Sequence, residues 1–139
     1  MATGMAMAQA HLAAIFNRPG YPVFDSFTYV LGGDGCLMEG ISSEAFSLAG
    51  TLKLEKLIVL YDSNNISIEG STDIAFREDV QGRMKAFGFD TFTVEDGDEM
   101  CIRDRLRGYI KESDSYVLAL LITNITCPWT LLAGTVRFD

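Results

Sequence analysis

Histidine is nearly absent: the 139 residues contain one, His11. A single histidine gives no support for a histidine-built zinc site or a histidine-based nucleophilic triad. The three cysteines, Cys36, Cys101 and Cys127, are an odd number without metal-ligand spacing. They read as reduced thiols of a cytoplasmic protein, not as a disulfide framework. Positive charge is scarce, with 11 Lys+Arg against 19 Asp+Glu and a net charge of −8. That balance excludes a general nucleic-acid partner, because counterion release needs a basic face. The longest apolar run, Tyr116 to Ile122, is too short to span a bilayer, so no membrane partner is expected. The N-terminus lacks the basic and apolar regions of a signal peptide. Internal repeats and low-complexity linkers are also lacking. What remains is a globular composition, 48% hydrophobic and 22% charged, of a length that suits one domain.

The charge is unevenly spread. Residues 1–99 hold 15 acidic and 6 basic side chains, whereas residues 100–139 hold 4 and 5. Along the first part, an Ala- and Met-rich stretch with helical spacing runs from Ala2 to Phe16. Asn17-Arg18-Pro19-Gly20 ends it. A loop with two prolines leads to a predicted buried strand, Phe27 to Leu31, stopped by a sharp turn at Gly32-Gly33-Asp34-Gly35. A helix is predicted from Met38 to Leu52, with Ile41, Ala45, Leu48, Ala49 and Leu52 on one face. Leu57 to Tyr61 reads as a strand buried on both faces, with Asp62-Ser63-Asn64-Asn65 as the turn beyond it. Ile66, Ile68 and Gly70 mark a short extended piece. Asp79 to Phe87 reads as a helix ending at Gly88, and Asp90 to Val94 as a third strand. The alternation of helix and strand predicts an α/β fold with a parallel sheet flanked by helices. In such folds ligands sit beyond the carboxyl ends of the strands, where both polar turns lie.

The chemistry of those turns converges. Glycines on both sides of Asp34 let the backbone approach a ligand closely. The helix start that follows offers free N–H groups to an anion such as a phosphate. Asn64 stands thirty residues after Asp34, at the tip of the next predicted strand. If the two strands are neighbours, a carboxylate, an amide oxygen and a backbone carbonyl gather at one point. Mg²⁺ prefers such a set, completed by phosphate oxygens and water.

GDG followed after about thirty residues by NN resembles the thiamine-diphosphate motif. The longer stretches GMAMAQAHLAA, TYVLGGDGCLMEGISSEAFSLAGTLKLEKLIVLYDSNNISIEG and FREDVQGRMKAFGFDTFTVEDGD resemble the N-terminal, pyrophosphate-binding domain of transketolases over about residues 4–98. The resemblance implies a thiamine-diphosphate-binding fold, present as a partial domain over residues 1–99. Asp34 and the Asn64 side chain would then be Mg²⁺ ligands, with the Ile66 backbone carbonyl. Gly35 would present its amide to the diphosphate, Gly33 would make the tight turn, and Ile68 would pack against the coenzyme rings. Glu39 and Glu44 match a buried glutamate cluster at the family's dimer interface. The implied activity is transfer of a two-carbon ketol unit between sugar phosphates by a cytoplasmic homodimer of the pentose phosphate pathway.

Each assignment has a plainer rival. Asn64 would cap a turn, Glu39 and Glu44 would face a helix dipole, and Ile66 and Ile68 would be core residues. Cys36 reads as inert packing at a helix start, and His11 as a helix-surface residue without a role. The family's substrate-handling histidines and its second domain do not match any part of this chain, so no catalytic residue is assigned and the isolated chain is expected to be inactive. The start matches the family in mid-domain. An alternative function is the non-catalytic diphosphate-binding component of a split enzyme. Other thiamine-diphosphate enzymes, such as deoxyxylulose-phosphate synthases or dehydrogenase E1 components, fit EGISSEA and YDSNNISIEG less well. The resemblance stops near Asp98. The string MCIRDR at 100–105 is of a kind produced by translating a sequencing adapter, so residues 100–139 read as an unrelated tail, an assembly or frame artefact. The alternative is a divergent tail that completes the sheet with a strand from Tyr116 to Thr123.

Overall fold

The computed structural model describes residues 1–68, residues 70–94 and the strand 118–123. Helix α1 (Ala2–Phe16) forms from a stretch dominated by strong helix formers. It turns small residues inward, with Thr3 and Ala6 buried. Its end is fixed by Asn17, whose Oδ1 accepts from the backbone N–H groups of Val23 and Phe24, both at 2.8 Å. The Asn17 Nδ2 donates to the Phe24 carbonyl at 2.8 Å, so one side chain ties the proline-bearing loop to the helix.

Strand β1 (Thr28–Gly33) runs directly into helix α2 (Asp34–Met38), and α3 (Gly40–Thr51) follows. Strand β2 (Leu57–Ser63) leads to a hairpin of β3 (Ile66–Ser67) and β4 (Gly70–Ser71), then a 3₁₀ turn at Thr72–Ile74. Helix α4 (Val80–Ala86), β5 (Asp90–Val94) and β6 (Leu118–Thr123) complete the described elements. The main sheet has the order β1-β2-β6-β5, and every pairing in it is parallel. A parallel α/β sheet is what the alternation predicted. Strand β6 falls within the segment expected to be a foreign tail, and the remainder of 100–139 lies outside the described residues.

Several local expectations are corrected. No turn separates β1 from its helix: Gly33 is extended (φ −105°, ψ −171°) and Asp34 already begins α2. A Cβ on Gly33 would come no nearer than 3.7 Å to the Asp62 carbonyl, so neither conformation nor space here demands glycine. The predicted 38–52 helix is found as α3, and the unpredicted short helix α2 precedes it, separated by Glu39, which adopts extended backbone (ψ 129°). The Ser42 N–H and hydroxyl both bond to the Glu39 carbonyl, at 3.0 and 2.7 Å, and start α3 afresh. The buried face of α3 is also rotated from the predicted one. Ala49 is buried and Phe46 packs on the core, whereas Ile41, Leu48 and Leu52 are exposed. The reason is close backbone packing: a Cβ on Gly50 would lie 1.6 Å from the Phe87 carbonyl oxygen. Helix α3 therefore presses its Gly50 side against the end of α4.

The core gathers Leu57, Val59 and Tyr61 of β2 with Ala6, Leu37, Ala49, Leu54, Val80, Met84 and Phe89. The uninterrupted apolar run of β2 is explained by burial on both faces, since Ile58 is buried as well. Helix α4 matches its prediction closely. Asp79 is its N-cap, accepting from the Gly82 N–H at 2.9 Å, and Gly88 closes it with φ +91°.

Candidate functional site

Strands β1 and β2 are adjacent and in register, with Gly33 opposite Asp62. This register brings the two polar segments of the sequence to one place beyond the strand ends. Asp34, the first residue of α2, is only 2% exposed. Its Oδ1 accepts a hydrogen bond from the Tyr61 hydroxyl, while its Oδ2 is buried without a partner. Burial pushes the Tyr61 phenol well above its usual pKa, and the bond to Asp34 pushes it further. Tyr61 therefore remains a donor, holding one oxygen of Asp34 and leaving the other facing the site.

Asn64 Oδ1 accepts from the Ile66 N–H at 2.9 Å, and Asn64 Nδ2 donates to Asp62 Oδ2 at 3.0 Å. The turn-capping bond proposed as a rival role is thus present. An amide oxygen has two lone pairs, so that bond leaves one for a further partner. Asp62, 5% exposed, is a site residue that the sequence reading left as mere turn. Burial raises its pKa, the Asn64 bond lowers it, and the charge of Asp34 raises it again. Its Oδ1 is also buried without a partner. Alternation along β2 was the signal available: residues 60, 62 and 64 share one side of an extended chain.

The remaining expected residues are placed as follows. Gly35 lies in the first turn of α2, where a Cβ would touch the Ser67 hydroxyl at an ordinary 3.5 Å. Ile66 and Ile68 are not core residues: they are 60% and 99% exposed. Ile68 has φ +43°, a left-handed conformation that a β-branched residue adopts at a cost. The short extended piece therefore reverses at Ile68 into the β3–β4 hairpin. Glu39 and Glu44 are both exposed, Glu39 at the break between α2 and α3 and Glu44 beyond the first turn of α3. The dipole role is thus lost for Glu44. Cys36 is a free, exposed thiol whose Cβ packs over Gly32 at the start of α2. His11 is exposed on α1, as expected.

Arg83 was not anticipated either. From α4 it donates to the Leu37 carbonyl at 3.0 Å and to Ser43 at 3.2 Å, and pairs with Glu78 at 2.8 Å. It clamps the end of α2 onto α3 and α4, steadying the helix that carries Asp34. Its place is set by tertiary packing, which leaves no local signal.

No three His, Cys, Asp or Glu side chains converge among the described residues in a way that would hold a metal. The donors at hand are two carboxylates, an amide and backbone carbonyls, which is the chemistry of Mg²⁺. Two buried carboxylate oxygens without partners among the described residues fit a cation and its bound water there. Among the described residues no helix is long and apolar enough to cross a membrane.

Residues 1–129 match the family model described as transketolase, thiamine diphosphate binding domain. A transketolase of Streptococcus pyogenes is 58% identical over 99 residues, which are 71% of this chain and 14% of that protein. A transketolase structure from Leishmania mexicana superposes with a TM-score of 0.79 at 48% identity, over 88% of this chain and 18% of that one. A Pichia stipitis transketolase crystallised in complex with sedoheptulose-7-phosphate superposes with a TM-score of 0.77 at 46% identity, with the same coverage. The chain thus spans less than a fifth of the length of these relatives.

Proposed function

The chain belongs to the transketolase family, as part of its thiamine-diphosphate-binding domain, and from that premise we propose that it forms the diphosphate- and Mg²⁺-holding wall of a transketolase. The observation that carries this reading is Asp34, buried at the tip of β1 with Oδ2 unpartnered, beside Asn64 on the neighbouring strand tip. Asp34 Oδ2, Asn64 Oδ1 and the Ile66 carbonyl would hold the ion, and the Gly33–Gly35 segment would admit the diphosphate, with the Gly35 amide facing it. Ile68, held clear of the fold, would pack against the coenzyme rings.

When bound, thiamine diphosphate supplies the carbon centre at which a two-carbon ketol unit is carried between sugar phosphates. The residues of this chain bind and orient. Asp34 and Asn64 fix the ion and through it the diphosphate. The Tyr61 hydroxyl fixes Asp34, and Arg83 fixes the helix that bears it. Among the described residues no histidine stands at the site: the single histidine, His11, is exposed on α1. Sugar-phosphate substrates, cytoplasmic location and a place in the pentose phosphate pathway follow from the same family reading. So does a homodimer in which Glu39 and Glu44, exposed here, become interface residues. The division into a family segment, 1–99, and a tail, 100–139, is kept in its second form, a divergent tail that completes the sheet with β6, because the family model runs on through residue 129.

The test is calorimetric titration of the purified chain with thiamine diphosphate in the presence and absence of Mg²⁺. Half of a cleft should bind in a Mg²⁺-dependent way, no tighter than about millimolar, or roughly −4 kcal/mol. Asp34→Ala should remove the Mg²⁺ dependence. Micromolar affinity of the chain, or unchanged binding by Asp34→Ala, overturns this reading. Ketol transfer by the purified chain would overturn its assignment as a binding wall without catalysis.

A further inference from the structure

Two neighbouring strands end in buried carboxylates, and each keeps one oxygen without a partner: Asp34 Oδ2 and Asp62 Oδ1. The pairing of β1 with β2 sets Gly33 opposite Asp62, so Asp34 follows directly on the residue that faces Asp62. Arg83, whose charge reaches Tyr61, places its hydrogen bonds on Leu37, Ser43 and Glu78 and on neither aspartate. Burying a carboxylate with only one of its oxygens hydrogen-bonded is costly, and burying two on neighbouring strands more so. A monovalent countercharge would leave one of them uncompensated, whereas a divalent ion balances both.

Asp62 also does something that charge alone does not. An ionised carboxylate only accepts hydrogen bonds, so its Oδ2 must take the nitrogen side of the Asn64 amide. The oxygen side of that amide is thereby turned away from Asp62. A flipped amide would present a donor where a cation needs oxygen.

We propose that Asp62 is a positioning residue of the cation site: Oδ2 holds the Asn64 amide with its oxygen toward the ion, and Oδ1 accepts a hydrogen bond from a water bound to that ion. This rests on the reading of Asp34 and Asn64 as ligands and adds to it a carboxylate that touches the ion only through others. Partners of metal ligands commonly govern affinity by ten-fold or more. The second negative charge completes the balance for a divalent ion beside two buried carboxylates.

The experiment is Mn²⁺ titration of the whole 139-residue chain, without coenzyme, followed by electron paramagnetic resonance of the free ion and by water-proton relaxation. Wild type, Asp34→Asn and Asp62→Asn are compared, and each is melted in metal-free buffer. Mn²⁺ is chosen because it accepts the same oxygen set as Mg²⁺. Wild type should bind, Asp34→Asn should lose binding, and Asp62→Asn should bind about ten-fold or more weakly. The metal-free melting temperature of Asp62→Asn should equal or exceed that of wild type, because an uncompensated buried charge has been removed. If Asp62→Asn binds Mn²⁺ like wild type while Asp34→Asn does not bind, the role of Asp62 is overturned and the ligand reading stands. If Asp62→Asn melts lower without metal or fails to fold, Asp62 is a structural residue and the proposal is likewise overturned. If wild type does not bind, or Asp34→Asn binds equally well, the ligand reading falls and this inference with it.

Discussion

The two ends of the parallel sheet are built on opposite terms. Where β2 and β5 begin, the chain closes tightly on itself. The Leu54 N–H bonds to the Ala49 carbonyl and the Phe89 N–H to the Met84 carbonyl, both at 3.1 Å. Gly50 lies flat against the Phe87–Gly88 backbone, and Phe46 meets Phe89 edge to face at 5.6 Å. Where β1 and β2 stop, two carboxylate oxygens lie buried without partners, and an isoleucine is held in a left-handed conformation in solvent. One end satisfies its own groups and supports the fold. The other leaves groups unsatisfied and strained, which is the pattern of a place made to meet something else.

That contrast can be broken most severely at Gly50. Gly50→Ala drives a methyl group into a backbone carbonyl and should cost about 3 kcal/mol or more, read by urea denaturation. A loss below about 1 kcal/mol would show that α3 and α4 can separate freely. The opposite sign is expected at the other end. Ile68→Asn places there a residue that tolerates left-handed backbone, and it should stabilise the metal-free chain by about 1 kcal/mol while weakening coenzyme binding. A destabilised Ile68→Asn would mean that the exposed side chain supports the fold after all. Asp79→Ala removes the cap of α4 and should cost about 1 kcal/mol in the same assay. Asp25→Ala should matter least. It breaks the 2.6 Å pair with Lys56 at the protein surface, and a shift of about 0.5 kcal/mol or less is expected.

Much of this division was legible before any coordinates. The run Leu57 to Tyr61 announced a strand buried on both faces, and Asp79 with Gly88 bracketed α4 to within a residue. Asp34 and Asn64 stood at successive strand tips, and parallel pairing of β1 with β2 brought them together. What escaped notice depends on contacts distant in sequence. The break at Glu39 arises because Ser42 captures its carbonyl, and propensity alone favours one continuous helix. The buried side of α3 is chosen by Gly50 meeting Phe87, a contact 37 residues apart that no periodicity reveals. Asp62 was read as turn because Ser63 and the two asparagines beside it are turn formers. Its burial follows only from the extension of β2 through Ser63. The plainer core reading of Ile66 and Ile68 fails because the hairpin that carries them projects beyond the core, which composition does not reveal.

The position of β6 has a kinetic consequence. Strands β2 and β5 do not touch in the sheet, because residues 118–123 lie between them. On a ribosome, the first three strands of the main sheet emerge before the one that joins them, and the sheet stays split in two until that strand arrives. The closing step must gather segments more than fifty residues apart, which raises contact order and slows folding relative to a sheet built from neighbours. During that wait β2, with its apolar run Leu57 to Tyr61, offers an unpaired edge to other chains. The nascent sheet is therefore most exposed to misassociation just before β6 is made.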